Sequence, residues 1–272
     1  MFRITPTPSG FLHIGNAFSF LLTQKLAEKN NAEILLRIDD MDAERKRPEY
    51  VQDIFDSLDW LEIKYHKGPK DADDFEKNWS QQTRMELYRD ALKKLASHKR
   101  AFACECSRKQ LQDSGGRYPG TCEHRHIPLG KPDTSVRLLV KPNTIVEFKD
   151  GHLGEQEIDL DEVSGSFVIV RKDGLPAYHL TSTVDDIHFR VTHVVRGLDL
   201  LHSTASQLYL AEKLGNNSFY KTHFVHHILI PDDHGQKLSK SEGALSLKAM
   251  RESGMKKTDV VKRLAPLMSM YV

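Results

Sequence analysis

The sequence predicts an α/β fold, an open and mostly parallel sheet whose two halves are separated by a smaller α+β insertion. Three features carry that prediction. The run "AEILLRIDD" has a continuously apolar centre, as expected of a strand covered by helices on both faces. Runs of this kind alternate with segments of helical period at both ends of the chain. Between about residues 101 and 175 the rhythm stops, and cysteines, Gly and Pro punctuation and short strands replace it.

Each element follows from local pattern. "MFRITPTP" opens as a short strand that its prolines end, and "HIGNAFSFLLTQKLAEK" then places apolar residues at helical spacing from Ile14 to Leu26. "AEILLRIDD" is the second strand and "PEYVQDIFDSLDWL" the second helix. Residues 81 to 98 are amphipathic, with Leu87, Ala91, Leu92 and Leu95 on one stripe. Within the insertion "VRLLV" and "SFVIVRKDG" read as short strands. Strand "THVVRG", helix "HSTASQLYLAEKLG" and strand "FVHHILI" then restore the α/β rhythm. The expected division is 1–98 and 178–243 as the two halves of the sheet domain, 99–177 as the insertion and 244–272 as a short helical segment.

With 272 residues, 39% of them hydrophobic, the chain can bury a sizeable core, hiding roughly three quarters of its unfolded surface. Lys and Arg number 39 against 38 Asp and Glu, so a basic surface for a polyanion must be local rather than global. The opening residues hold no apolar run of signal-peptide or membrane-span length, which predicts a cytoplasmic protein without a membrane partner. Three cysteines within nineteen residues make a poor disulfide framework and a better metal cluster.

Two stretches carry phosphate chemistry. "TPSGFLHIGN" sets His13, Gly15 and Asn16 at the start of the first helix, where free N–H groups and the dipole suit an anion. "PDDHGQKLSKSEG" puts Lys237 and Lys240 among serines after the last strand, several donors on flexible stems. Both would meet at the carboxyl edge of one sheet, where open α/β sheets bind ligands.

These motifs resemble the class I aminoacyl-tRNA synthetases, whose two signatures correspond to "HIGN" and "KLSKS". "RITPTPSGFLHIGN", "LLRIDDMD", "DGLPAYHLTSTVDD" and "VTHVVRGLDLLHSTASQ" are similar, in order, to segments of the glutamyl branch. Cys104, Cys106, Tyr118 and Cys122 have the spacing of the glutamyl-queuosine tRNA(Asp) synthetases of that branch, and could close a tetrahedral structural Zn²⁺ site, with His124 or His126 as alternatives to Tyr118. About thirty residues follow Lys240, so the resemblance implies a Rossmann-type catalytic body with no anticodon-binding domain.

The resemblance implies a ligase that activates glutamate with ATP and Mg²⁺, then transfers it to the queuosine base in the anticodon loop of a tRNA. A truncated glutamyl-tRNA ligase and a non-catalytic tRNA-binding paralogue are the alternatives, and a monomer is expected. Such a reaction needs positioning and charge neutralisation rather than a nucleophile. By the same resemblance Arg3, Thr7, Asp39, Tyr178 and Arg196 hold glutamate. His13, Gly15, Asn16, Asp199 and Lys240 hold ATP, and His13, Lys237 and Lys240 act on its phosphates. Asn16 stands where the signature has a second His, and Asp39 where the family has Glu, one methylene longer. Lys99, Arg100, Arg108, Lys109, Arg117 and Arg125 supply the expected local basic surface, while His66, His98, His193, His202, His226 and His227 read as structural.

Overall fold

Four short strands order the first of two units in the computed structural model, which describes residues 1–115, 117–230 and 246–272. That unit comprises Met1–Thr83, Val191–Asp199 and His223–Val272; Arg84–Arg190 and Leu200–Thr222 form the second. In the first unit the spatial order is Ile34–Leu36, Phe2–Ile4, His193–Gly197, His223–His227, every neighbouring pair parallel. Phe2, Ile4, Ile34, Leu36, Val194 and Phe224 are all buried, which is the two-sided burial that the continuous apolar runs imply.

Helix Ile14–Lys29 joins the first two strands in sequence and is buried around most of its circumference, from Ala17, Phe18 and Leu22 to Leu26. Helix Pro48–Trp60 begins with its proline in the first turn, where no N–H is needed, and buries Val51, Ile54 and Leu58. The chain then returns so that Lys67 pairs beside Leu35. Gly68 follows at φ 128°, where a Cβ would lie 2.4 Å from the Leu36 carbonyl oxygen, so only glycine fits. Helices Leu247–Glu252 and Lys257–Met268 complete this unit, with Val260, Leu264 and Met268 buried.

The second unit holds an antiparallel sheet of Ala101–Cys104, Ser135–Leu138 and Val168–Val170. A hairpin of Ile145–Asp150 and Gly154–Asp159 buries Val146, Phe148 and Asp150 on alternate positions. Its turn is fixed by Asp150, whose Oδ1 accepts from the amides of His152 and Leu153, each at 2.9 Å. Helices Met85–Ser97, Tyr178–His188 and Leu201–Lys213 belong here too. One buried ionic group ties two of them. Arg84 donates from Nε and Nη2 to both oxygens of Asp185, at 2.8 and 2.9 Å, and the Tyr88 hydroxyl donates to the same carboxylate at 2.8 Å. Among the described residues no helix is long and apolar enough to cross a membrane.

Candidate active site and cysteine cluster

The turn at residues 13–16 is built by reciprocal capping. His13, in extended backbone, uses its Nδ1 to accept from the Gly15 amide at 3.1 Å, and Asn16 Oδ1 accepts from the His13 amide at 3.0 Å. An accepting Nδ1 puts the neutral ring's proton on Nε2. Asn at the third helical position reaches back with a side-chain oxygen, so it serves as a cap where a cationic His would not. Gly15 sits tightly under the imidazole, since a Cβ there would lie 3.0 Å from the His13 ring.

Topology brings the other first-unit candidates to the same edge. Arg3 lies in the first strand, and its Nη1 donates to Thr5 Oγ1 at 3.0 Å. Arg196, in the adjacent strand, donates from Nε to His226 Nε2 at 3.4 Å and lies over the Phe224 ring. Both guanidinium-bearing residues are only 4% exposed. Thr7 is exposed in the loop after the first strand, and the Asp39 amide donates to the Pro6 carbonyl at 2.9 Å, which holds these two loops together. Asp199 follows the strand of Arg196, and its Oδ1 would lie 2.7 Å from any Cβ placed on Gly197. Tyr178 is the first residue of helix Tyr178–His188 in the second unit and is 42% exposed. Lys237 and Lys240 lie outside the described residues; the described chain resumes at Ser246, which forms a bridge with His13.

Two contributors, Arg37 and Asp40, escape the sequence reading. Arg37, 1% exposed, grips Asp39 with its Nε and Nη2 at 2.6 and 3.0 Å. Its i, i+2 spacing on extended backbone, which puts both side chains on one face, was the available signal. Asp40, next in the chain, turns the other way and is buried, accepting from Ser80 Oγ and the Gln81 amide, each at 2.7 Å, and from Lys46 Nζ at 3.1 Å. His227 donates from Nδ1 to the Ile228 carbonyl at 2.8 Å, leaving Nε2 to accept from Ser19 Oγ at 2.5 Å. Burial lowers its pKa, which favours this neutral form.

In the second unit Cys104, Cys106 and Cys122 are buried, and their three sulfurs lie within 4.8 Å of one another. Cys106 and Cys122 are 3.8 Å apart, close to the about 3.8 Å edge of a tetrahedron with Zn–S bonds of about 2.3 Å. Burial pushes the Cys106 thiol up. Burial acts the same way on Cys122, but hydrogen bonds from the Glu105 backbone, Thr121 and the neighbouring cysteines outweigh it and bring that thiol down to about 7. Tyr118 packs in the same cluster, its hydroxyl accepting from the Cys122 amide at 2.6 Å. Burial and the thiols push that phenol up to about 12. Three convergent thiols suit a divalent ion such as Zn²⁺, and Tyr118, the oxygen donor of the expected set, packs beside them. His124, with its side chain 89% exposed, is not part of this buried group.

Of the expected basic surface, Lys99, Arg108 and Lys109 are exposed. Arg117 pairs with Asp161 at 2.8 Å and Arg125 with Glu105 at 2.9 Å, which discounts their net charge toward a polyanion.

A parallel sheet with a capped phosphate-ready turn, two buried arginines and an aspartate at its carboxyl edge defines an α/β nucleotide-binding catalytic domain. The chain belongs to the family described as tRNA synthetases class I (E and Q), catalytic domain, whose profile matches residues 1–269. A glutamate–tRNA ligase of Sulfurihydrogenibium sp. is 35% identical over 93% of this chain and 55% of its own length. A glutamyl-Q tRNA(Asp) synthetase of Symbiobacterium thermophilum is 36% identical over 97% of this chain and 85% of its own. The chain thus spans about half the length of the curated glutamate–tRNA ligases it matches. The crystal structure of a glutamate tRNA ligase from Elizabethkingia meningosepticum in complex with its amino acid superposes with a TM-score of 0.73 at 23% identity, covering 93% of this chain and 53% of that one, a likeness of fold.

Proposed function

We propose that this protein activates glutamate with ATP and transfers it to queuosine in a tRNA of the aspartate type. The observation that carries the reading is the cysteine cluster: three thiols with Tyr118 at the spacing that resembles the glutamyl-queuosine branch, brought together in space. Coverage supports it, since the chain accounts for 76%, 85% and 86% of three relatives named glutamyl-Q tRNA(Asp) synthetase.

In this reading the glutamate α-carboxylate attacks the α-phosphorus of ATP, pyrophosphate leaves, and a glutamyl adenylate forms. A hydroxyl of the cyclopentenediol then attacks the acyl carbon and AMP leaves. The buried Arg3 and Arg196 offer bidentate partners to the carboxylates, and Asp39 takes the α-amino group with its own position fixed by Arg37. His13 donates from Nε2 to phosphate while its Nδ1 stays engaged with Gly15. Mg²⁺ enters with ATP as part of the substrate. Zn²⁺ held by Cys104, Cys106 and Cys122 would brace the insertion, a structural role worth on the order of 10 kcal/mol to a segment with a small core.

Glutamate-dependent ATP–pyrophosphate exchange tests the first half. Exchange that appears with glutamate and not with aspartate or glutamine supports the reading; none under any of the three contradicts it and leaves a tRNA-binding paralogue.

A further inference from the structure

The geometry points to Asp53 and Arg251 as positioning residues for ATP, which hold the His13 turn through the backbone of Leu12. The inference rests on the assignment of that turn to ATP in the proposed function. Asp53 sits on helix Pro48–Trp60 and is 2% exposed. Its Oδ2 accepts from the Leu12 amide at 3.2 Å. Its Oδ1 accepts from Arg251 Nη2 at 2.8 Å, and Arg251 Nη1 donates to Ser57 Oγ at 2.6 Å, one helical turn beyond Asp53.

The carbonyl of the same residue is held from the other side. Leu12 O accepts from the Leu247 amide at 2.7 Å, and His13 bridges to Ser246. Leu247 and Arg251 lie on one helix, Leu247–Glu252, the first described element after residues 231–245. Leu12 is therefore gripped at its N–H by a carboxylate and at its C=O by an amide, and both grips lead to that one helix. A plain core contact would need only one of them. The double grip fixes where His13 enters its helix, and so where its imidazole and the Gly15 amide stand.

A carboxylate this deeply buried is stable when a cation and hydrogen bonds satisfy both its oxygens, which Arg251 and the Leu12 amide do. Asp53→Asn removes the charge and keeps the shape, so it weakens the Arg251 grip and loosens the Leu12 amide. Arg251→Gln breaks the same link from its half-buried end. Because both act through one connection, their effects on ATP should not add.

The test is direct titration of the whole protein with ATP and Mg²⁺ by calorimetry, with melting temperature recorded in the absence of ATP. Each single variant should weaken ATP binding about tenfold, the double variant should be no weaker than the worse single one, and Arg251→Lys should restore part of the loss. A purely structural role would lower the melting temperature and leave the dissociation constant alone. Unchanged affinity in folded Asp53→Asn and Arg251→Gln, or fully additive losses, overturns the inference. Absence of ATP binding by the unmodified protein overturns the proposed function and this inference with it.

Discussion

The carboxylate of Asp39 is held by two parallel hydrogen bonds along one edge of the Arg37 guanidinium, with Nε at 2.6 Å and Nη2 at 3.0 Å. This fork locks a side chain one methylene shorter than the family pattern, so its oxygens are presented to the edge of the sheet in one orientation. Asp39→Asn removes the anion proposed to hold the α-amino group and should raise the glutamate KM in pyrophosphate exchange by on the order of a hundredfold. Arg37→Lys keeps the charge and loses the fork, with an expected rise of about tenfold. Unaltered glutamate KM in both variants would remove Asp39 from the pocket.

Cys106 and Cys122 hold their sulfurs 3.8 Å apart. Purified protein should carry about one equivalent of zinc, and Cys106→Ser should lose it and loosen the second unit. Metal analysis reads the first effect and proteolytic sensitivity the second. Metal-free protein prepared in reductant without chelator would leave the three as plain thiols.

Asp185 is fully buried with Arg84 and Tyr88 as its partners. Asp185→Ala strands the Arg84 guanidinium in the core and should cost about 3–5 kcal/mol in denaturant unfolding. Tyr88→Phe removes one hydrogen bond to a charged group and should cost about 1.5–3 kcal/mol. A loss under 1 kcal/mol for Asp185→Ala would show that the group adds little to the fold (~1 kcal/mol being the value of an exposed pair).

His193 lies between the rings of Phe2 and His223, stacked on both. Burial, the neighbouring His223 and the terminal amine bring its pKa down from 6.5 to about 4. The unfolded chain therefore binds this proton first as pH falls. The stabilising contribution is complete above pH 6.5 and is lost as pH drops from 6.5 toward 4. His193→Gln should flatten the fall in denaturation midpoint across that window. Parallel curves for the two proteins would contradict the assignment.

What the sequence made legible followed local pattern. The apolar centre of "AEILLRIDD" gave the parallel strand, "HIGN" the helix start, and cysteine spacing the cluster, because each is decided within a few residues. Helix Tyr178–His188 is not legible as a helix from its periodicity, since it buries Thr181, Ser182, Thr183, Asp185 and Asp186 and so lacks an apolar stripe. The hairpin at residues 145–159 escaped because its second strand, "GEQEID", carries too little apolar alternation. Asp53 with Arg251 and Arg84 with Asp185 were invisible for another reason: their partners lie 198 and 101 residues away, and only the closed fold sets them side by side.

The proposed function turns on where glutamate goes. The decisive measurement is transfer of labelled glutamate to tRNA that contains queuosine but lacks its 3′-terminal adenosine, followed by mapping of the label to a nuclease fragment. Label is expected in the anticodon-loop fragment, and none on matched tRNA without queuosine. Label that requires the terminal adenosine and ignores queuosine would contradict the proposed function and make the protein a glutamate–tRNA ligase in action.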